Sequence, residues 1–289
     1  MPLLTNSLRS ILKNNKITLK KSLGQNFLNN NDILKNLISF INPLENDIFL
    51  EIGSGIGTLT FPLCRKAKKV FAIETDRRLI AVAEELKQES DNIEFIKQDI
   101  LKTDLEDFFD NRLSPGEKTR VTGNLPYYIS TPILFELLKV KRYVSDIIIM
   151  LQKELAARIL AEPGTKDYGS LTVLLQTYAD IKVGFEVKRT CFYPQPKVDS
   201  AVIKITPLPA PRIEIKDYDL FSKLVKTSFA QRRKTLRNNL KNLDEVKKSP
   251  HLIDMLLSSS GIDPELRAET LSVFDFKKLY DSLLEIGYK

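Results

Sequence analysis

Between residues 47 and 152 short apolar runs alternate with amphipathic stretches, and that alternation leaves few folds open. "DIFLEIG" (47–53), "KVFAIE" (69–74), "NIEFIKQD" (92–99), "RVTGN" (120–124) and "DIIIML" (146–151) read as strands. "TLTFPLCRKA" (58–67), "RRLIAVAEELKQE" (77–89) and "TPILFELLKVK" (131–141) carry helical spacing, with Pro132 where a first turn tolerates it. Strand–helix alternation over this length predicts an α/β fold with a mostly parallel sheet and helices on both faces. Ligands in such sheets bind at the carboxyl ends of the strands, near the point where the strand order reverses. After 181 the pattern changes. "IKVGFEV" and "KVDSAVIKI" resemble antiparallel strands around a Pro-rich link, "YPQP" (193–196), and "TPLPAPR" (206–212) reads as a linker. Helices are predicted beyond it over 217–229, 231–242, 249–259 and 275–286, with start signals at Ser249-Pro250 and Asp263-Pro264. The expected organisation is a basic segment over 1–28, a catalytic domain over 29–208 and a smaller helical domain over 209–289.

The turn after the first strand, "EIGSGIG" (51–57), is the candidate ligand loop. Gly53, Gly55 and Gly57 permit a tight turn and close approach of a ligand to the backbone. A dinucleotide fingerprint would want Gly or Ala at 58, where this chain has Thr58, and Glu51 is a poor neighbour for a pyrophosphate. Glu51 suits a cationic ligand instead, an α-ammonium or a sulfonium. Glu74 closes the second strand 21 residues after Gly53, where a carboxylate can accept two ribose hydroxyls. Asp99 closes the third, placed for an adenine amino group. The constellation resembles the class I, Rossmann-like methyltransferases, which implies S-adenosylmethionine as cofactor.

"NLPY" (124–127) follows the fourth strand and should face the same crevice. It resembles the motif of methyltransferases that act on exocyclic amino groups of bases. Such an amine is a weak nucleophile, because its lone pair is delocalised into the ring. The Asn124 side-chain oxygen and the Leu125 carbonyl could each accept one N–H and favour a pyramidal nitrogen. Pro126 holds the chain there and removes a competing donor. Tyr127 could stack on the base, a contact of about 1–3 kcal/mol. No general base is required before attack, since the product ammonium can lose its proton to solvent. The target must leave its stack to enter such a pocket, and Phe192 is a candidate for the second stacking face.

Charge and composition narrow the class further. The formal charge is +7 and unevenly placed: residues 1–28 hold Arg9, Lys13, Lys16, Lys20 and Lys21 with no acid, and 211–250 hold eleven basic residues against five acids. Residues 45–110 hold fifteen carboxylates against nine basic side chains. A basic–acidic–basic layout suggests a catalytic core flanked by surfaces for a polyanion. The single His251 and the separated Cys64 and Cys191 offer no ligand spacing, so neither a metal nor a Ser-His-Asp triad is expected. No apolar run approaches the roughly 18 residues of a membrane span. The first sixteen residues lack a signal-peptide core, and a cytoplasmic protein is expected.

Seven segments then occur in order: "LGQNFL" (23–28), "EIGSGIG", "GNLPYYISTP" (123–132), "MLQKELAARI" (150–159), "FYPQPKVDSAV" (192–202), "QRRKTLRNNL" (231–240) and "GIDPELRAE" (261–269). Together they resemble the small-subunit ribosomal RNA adenine dimethyltransferases over nearly the whole chain. The resemblance implies dimethylation of N6 on two adjacent adenosines in the 3′-terminal hairpin loop of small-subunit rRNA, late in subunit assembly. It implies cofactor contacts from Asn26, Leu28, Gly53, Glu74, Asp99 and Asn124, and a target-adenine sandwich of Tyr127 and Phe192. The small ribosomal subunit is the expected partner, and a monomer the expected state. The family often has Pro where this chain has Ser54. Erythromycin-resistance methyltransferases share the core motifs and act on large-subunit rRNA, but the last two segments look like the small-subunit enzymes. A helix from about 231 would present Arg232, Arg233, Lys234 and Arg237 to phosphates. A second reading is an assembly factor that keeps the fold without catalysis, like the transcription-factor relatives in mitochondria. A DNA adenine methyltransferase would need a sequence-reading module that the chain does not display.

Overall fold

The β-branched and aromatic runs of the central region are too apolar to leave a face wet, and they assemble into a sheet covered on both sides. A computed structural model of the chain describes residues 8–19, 24–87, 90–126 and 129–287, without the Glu245 side chain. Lys20, Lys21 and Tyr127 lie outside the described residues. The chain divides into two compact units, Met1–Ala156 with Lys182–Pro207, and Ala157–Ile181 with Leu208–Lys289.

In the first unit α1 (Leu8–Asn14), β1 (Phe27–Leu28) and α2 (Asn31–Ile41) precede β2 (Ile48–Ile52), α3 (Thr60–Cys64) and β3 (Lys69–Glu74). Then come α4 (Arg77–Leu86), β4 (Ile93–Lys97), α5 (Leu105–Asp110), β5 (Thr119–Asn124), α6 (Ser130–Lys139) and β6 (Val144–Gln152). The unit is completed by β7 (Ala179–Val187), which enters it at Lys182, β8 (Phe192–Tyr193) and β9 (Ser200–Pro207). The strand order of the seven-stranded sheet is β4-β3-β2-β5-β6-β9-β7. β4 through β6 run parallel and β9 runs antiparallel to β6. This is the class I methyltransferase sheet, and its strand order reverses between β2 and β5.

All five residues of β2 are buried. One core cluster joins Leu37 and Ile41 of α2 to Phe49, Leu63, Val70, Ile148 and Val202. Another joins Leu8, Ile11 and Leu12 of α1 to Phe27, Ile56, Leu79 and Val82. α2 is well delimited: Asn30 accepts from the Asp32 and Ile33 amides, and Asn42 ends it in the left-handed region at φ 48°. The segment expected as a helix over 58–67 holds only five helical residues, Thr60–Cys64, flanked by turns.

At the amino ends of the strands, Arg120 of β5 ties the sheet together. Its guanidinium bonds Asp47 at 2.7 Å and Asp146 at 2.9 and 3.0 Å, and donates to the Ile41 and Asn42 carbonyls at 2.7 and 3.2 Å. Lys204 of β9 adds a bond to Asp146 at 2.8 Å. These carboxylates are largely buried, and removing their shared cation leaves Asp47 without one and Asp146 with Lys204 alone. Arg120→Met is expected to cost about 3 kcal/mol, read as a lower urea midpoint at unchanged m-value. A loss well below about 1 kcal/mol would place the cluster with ordinary surface pairs.

The second unit contains α7 (Lys153–Leu160), which crosses its lower limit at Ala157, and α8 (Ser170–Tyr178). It continues with α9 (Tyr218–Ser228), α10 (Leu236–Leu240), α11 (Asp244–Lys248), α12 (Leu252–Ser260) and α13 (Val273–Glu285). Residues 157–181, expected in the catalytic domain, fall in this compact unit. α8 buries Leu171, Val173, Leu174 and Leu175 and packs against α9 and α13, so this excursion belongs with the later helices. Aromatic contacts bind the unit: Phe221 meets Tyr280 edge-on at 5.7 Å, and Phe229 stacks on Phe276 at 5.7 Å. The Tyr280 hydroxyl accepts from the Lys216 and Asp217 amides at 3.1 and 2.8 Å.

Candidate active site

A cavity of about 590 Å³ opens at the carboxyl ends of β2, β3, β4 and β5. The cofactor residues singled out in the sequence all line it: Asn26, Leu28, Glu51, Gly53, Gly55, Glu74, Asp99 and Asn124. Pro126 lines it too, and Leu125 is buried beneath, 1% exposed, with its amide donating to the Met150 carbonyl at 3.1 Å. Two close approaches shape the wall. A Cβ on Gly55 would lie 2.5 Å from the Phe27 ring, and one on Gly123, just before Asn124, would overlap the Ile52 carbonyl oxygen.

Glu74 does more than face the cavity. Its Oε1 accepts from the Thr75 and Asp76 amides at 2.7 and 2.9 Å and from the Thr75 hydroxyl, while Oε2 accepts from the Gly55 amide at 3.0 Å. The carboxylate therefore pins the glycine turn to the end of β3 and keeps acceptor capacity on Oε2. Asp99 accepts from the Leu101 amide through Oδ1, and its Oδ2 has no bond among the described residues.

Glu51 sits in β2, an interior strand, 2% exposed, and its Oε2 accepts from the Thr60 hydroxyl at 2.5 Å. Burial, opposed by the Thr60 bond and reinforced by the Glu74 charge, pushes its pKa up to about 8. An acid in this state stays protonated until a cation arrives to share the site.

The segment Gly24–Leu28 is fastened over the cavity from several directions. β1 pairs antiparallel with β8, setting Phe27 opposite Tyr193 and Leu28 opposite Phe192. Gln25 donates to Asp76 at 3.2 Å, and Asp76 is held by Arg78 at 2.6 Å. The Arg78 bonds, opposed by burial and aided by Gln25, lower the Asp76 pKa to about 2. Asn124 donates through Nδ2 to the Asn26 carbonyl at 2.7 Å, and Asn26 donates through Nδ2 to the Gly24 carbonyl at 3.0 Å. With the Asn124 nitrogen committed, its oxygen is the acceptor left for a ligand.

Phe192, expected as the second stacking face, is 5% exposed and packs in an apolar cluster with Leu28, Leu37 and Met150. Its ring backs the cavity wall, because the β1–β8 pairing draws it inward beside Leu28. Tyr127 is outside the described residues. Gln25, Asp76 and Thr60 were missed. Asp76 had a visible signal as the N-cap of α4, whereas the Gln25 and Thr60 contacts depend on the folded chain.

The basic segment also differs from expectation. Residues 231–234 form a turn, and the helix begins only at Leu236 behind the Thr235 cap. Arg232 bonds Glu269 at 2.9 Å and the Lys166 carbonyl, and Arg237 bonds Asp254 at 2.5 Å. Arg233 and Lys234 are exposed and have no acidic partner among the described residues. Among the described residues no cluster of His, Cys, Asp and Glu could hold a metal, and no helix is long and apolar enough to cross a membrane.

Comparisons with known proteins bear on this geometry. The family model described as "Ribosomal RNA adenine dimethylase" matches residues 16–283. Ribosomal RNA small subunit methyltransferase A of Bacillus cytotoxicus is 42% identical over 280 residues, 96% of this chain and 96% of that protein. The protein of the same name from Bacillus mycoides matches at the same identity and coverage. Among solved structures, a dimethyladenosine transferase from Plasmodium falciparum aligns with a TM-score of 0.73 at 29% identity, over 90% of this chain and 98% of that one. The 23S rRNA methyltransferase ErmE shares the fold with a TM-score of 0.64 at 23% identity, over 89% of this chain and 99% of that one.

The Glu51 reading has a consequence for stability. In the unfolded chain its carboxyl titrates near 4.5, and in the folded protein near 8. Between those values the unfolded state has lost the proton and the folded state keeps it, so this contribution to stability falls as pH rises. Glu51→Gln cannot ionise. The urea-midpoint difference between variant and parent should shift in the variant's favour from pH 4.5 to about 8, then level off. A difference constant over that range would refute the assignment.

Proposed function

The chain belongs to the ribosomal RNA adenine dimethylase family, and on that premise we propose how its own residues dimethylate N6 of two adjacent adenosines in the 3′-terminal hairpin loop of small-subunit rRNA. The reaction is placed late in small-subunit assembly, in the cytoplasm, with the protein acting as a monomer on the subunit. S-adenosylmethionine, when bound, supplies a methyl group already activated on a sulfonium sulfur. The residues present suit that ligand: three acids, Glu51, Glu74 and Asp99, line the wall. Glu51 takes the ammonium of the methionine moiety, Oε2 of Glu74 the ribose hydroxyls, and Oδ2 of Asp99 the adenine amino group. Leu28 gives an apolar wall, and Asn26 orients the Asn124 amide.

The observation that carries the reading is that amide. Its nitrogen is spent on the Asn26 carbonyl, so its oxygen accepts one N–H of the target amine, and the Leu125 carbonyl accepts the other. Held so, the nitrogen is pyramidal and its lone pair faces the methyl group. Positioning of this kind lowers a barrier by about 7–11 kcal/mol without a general base. Tyr127 stacks on the target base, while Phe192 supports the wall from behind.

The test is methyl transfer from labelled S-adenosylmethionine to unmethylated small subunits, large subunits and naked rRNA of each kind, with products identified as nucleosides. N6,N6-dimethyladenosine on small subunits alone is expected. Asn124→Ala should cut turnover by about a hundredfold or more while cofactor affinity changes little. Equal losses in both would contradict the role given to the amide. Tight subunit binding with no product on any substrate would transfer the protein to the assembly-factor reading.

For rRNA binding we assign Arg233 and Lys234 to phosphate contacts, and Arg232 and Arg237 to shaping the helical unit through Glu269 and Asp254. Replacing Arg233 and Lys234 together by Ala should lower the slope of log affinity against log salt by roughly 1–2. Replacing Arg232 should leave that slope nearly as it was and reduce thermal stability. A slope indifferent to both changes would remove this turn from the interface.

A further inference from the structure

The segment Gly24–Leu28 is anchored on both sides of one residue. On one side Gln25 donates through Nε2 to Oδ2 of Asp76 at 3.2 Å. On the other, Phe27 and Leu28 pair with Tyr193 and Phe192, and the Phe27 ring packs against Gly55, where a Cβ would stand 2.5 Å from it. Asn26 lies between the two anchors. Its carbonyl is the group that accepts from Nδ2 of Asn124 at 2.7 Å.

A carboxamide has two ends of similar shape and opposite hydrogen-bonding sense, so a partner at one end decides which way it faces. The Asn124 amide turns its oxygen to the cavity only while the Asn26 carbonyl stays in place. The β1–β8 ladder is two residues long and fixes the chain from Phe27 onward. The bond from Asn26 Nδ2 to the Gly24 carbonyl lies within the segment and stiffens it without placing it. Gln25 ties the Gly24–Asn26 end to the sheet.

The group that receives this tie is itself firmly held. Asp76 is 6% exposed, caps α4 through the Arg78 amide at 3.1 Å, and takes the Arg78 guanidinium at 3.0 and 2.6 Å. Its own amide donates to Oε1 of Glu74 at 2.9 Å. Hydrogen bonds and short backbone thus run from the carboxylate assigned to the ribose, through Asp76, Gln25 and Asn26, to the amide assigned to the target amine.

We propose that Gln25 is a positioning residue for the methyl transfer: it docks the segment on Asp76, so that the Asn26 carbonyl holds the Asn124 amide with its oxygen toward the target amine. The inference rests on the role given to that amide above and deepens it. Gln25 needs no contact with the amine, since it acts through Asp76 and Asn26. A misplacement of about 1 Å in a reacting geometry can cost about a hundredfold in rate.

The test is a double-mutant cycle on the full chain, read as the single-turnover rate of methyl transfer to unmethylated small subunits and as S-adenosylhomocysteine affinity by calorimetry. Gln25→Met keeps the length of the side chain and removes the donor. It should lower the rate about tenfold and leave the affinity within about threefold of the parent, because the acids assigned to the cofactor are set by the strand ends. In the Asn124→Ala background there is no amide to orient, and the same change should cost less than about twofold. An undiminished effect in that background would make Gln25 a general clamp on the cavity and overturn the inference. So would an unchanged rate, or a loss of affinity equal to the loss of rate. Asn124→Ala alone reacting as fast as the parent would instead overturn the role of the amide, and the inference with it.

Discussion

The closeness of β2 to β5 is the constraint on which the ligand-facing edge depends. Gly123 lies so near the Ile52 carbonyl that no side chain could stand there. That approach sets the last residues of β5 beside the loop that leaves β2, and so delivers Asn124 to the same wall as Glu51 and Gly53. Parallel register on the other side of β2, with Ile52 opposite Ile73, carries Glu74 to the same level. The acids and the amide are therefore neighbours through strand geometry, and long loops are not needed to gather them.

Hydrogen-bond accounting explains why the wall is acidic without being unstable. Glu74 is satisfied by three backbone amides and a hydroxyl, which fix the turn as well as the carboxylate. Asp76 is neutralised by Arg78. Glu51 has no cation and relieves its burial by holding a proton. The three acids thus solve the same desolvation problem in different ways, and only Glu51 leaves its charge to be drawn out by a ligand.

Much of the sheet was legible in the sequence, because β2, β3 and β6 are short, dense apolar runs. The loop, Glu51, Glu74, Asp99 and Asn124 were legible because each lies at or near the carboxyl end of a strand-like run. The β1–β8 pair was not, since a two-residue strand has no period and its partner is more than 160 residues away. Without that pairing, Phe192 could be read as a free ring. The grouping of residues 157–181 with the later helices was not legible, because α8 is apolar on most sides and nothing local says which helices will cover it. Nor can charge counting tell that Arg232 and Arg237 already have acids, 37 and 17 positions further on.

The first unit is not a continuous stretch of chain. It takes in residues up to Ala156, releases the chain for 157–181, and recovers it from Lys182 to Pro207. β1, made among the first thirty residues, has no ladder partner until Phe192 and Tyr193 exist. During synthesis, then, the segment over the cavity waits for more than half of the protein to follow. Translation orders assembly of the site: the strands that bear the acids come first, and the two-strand ladder of the cover is completed only once β8 has been made.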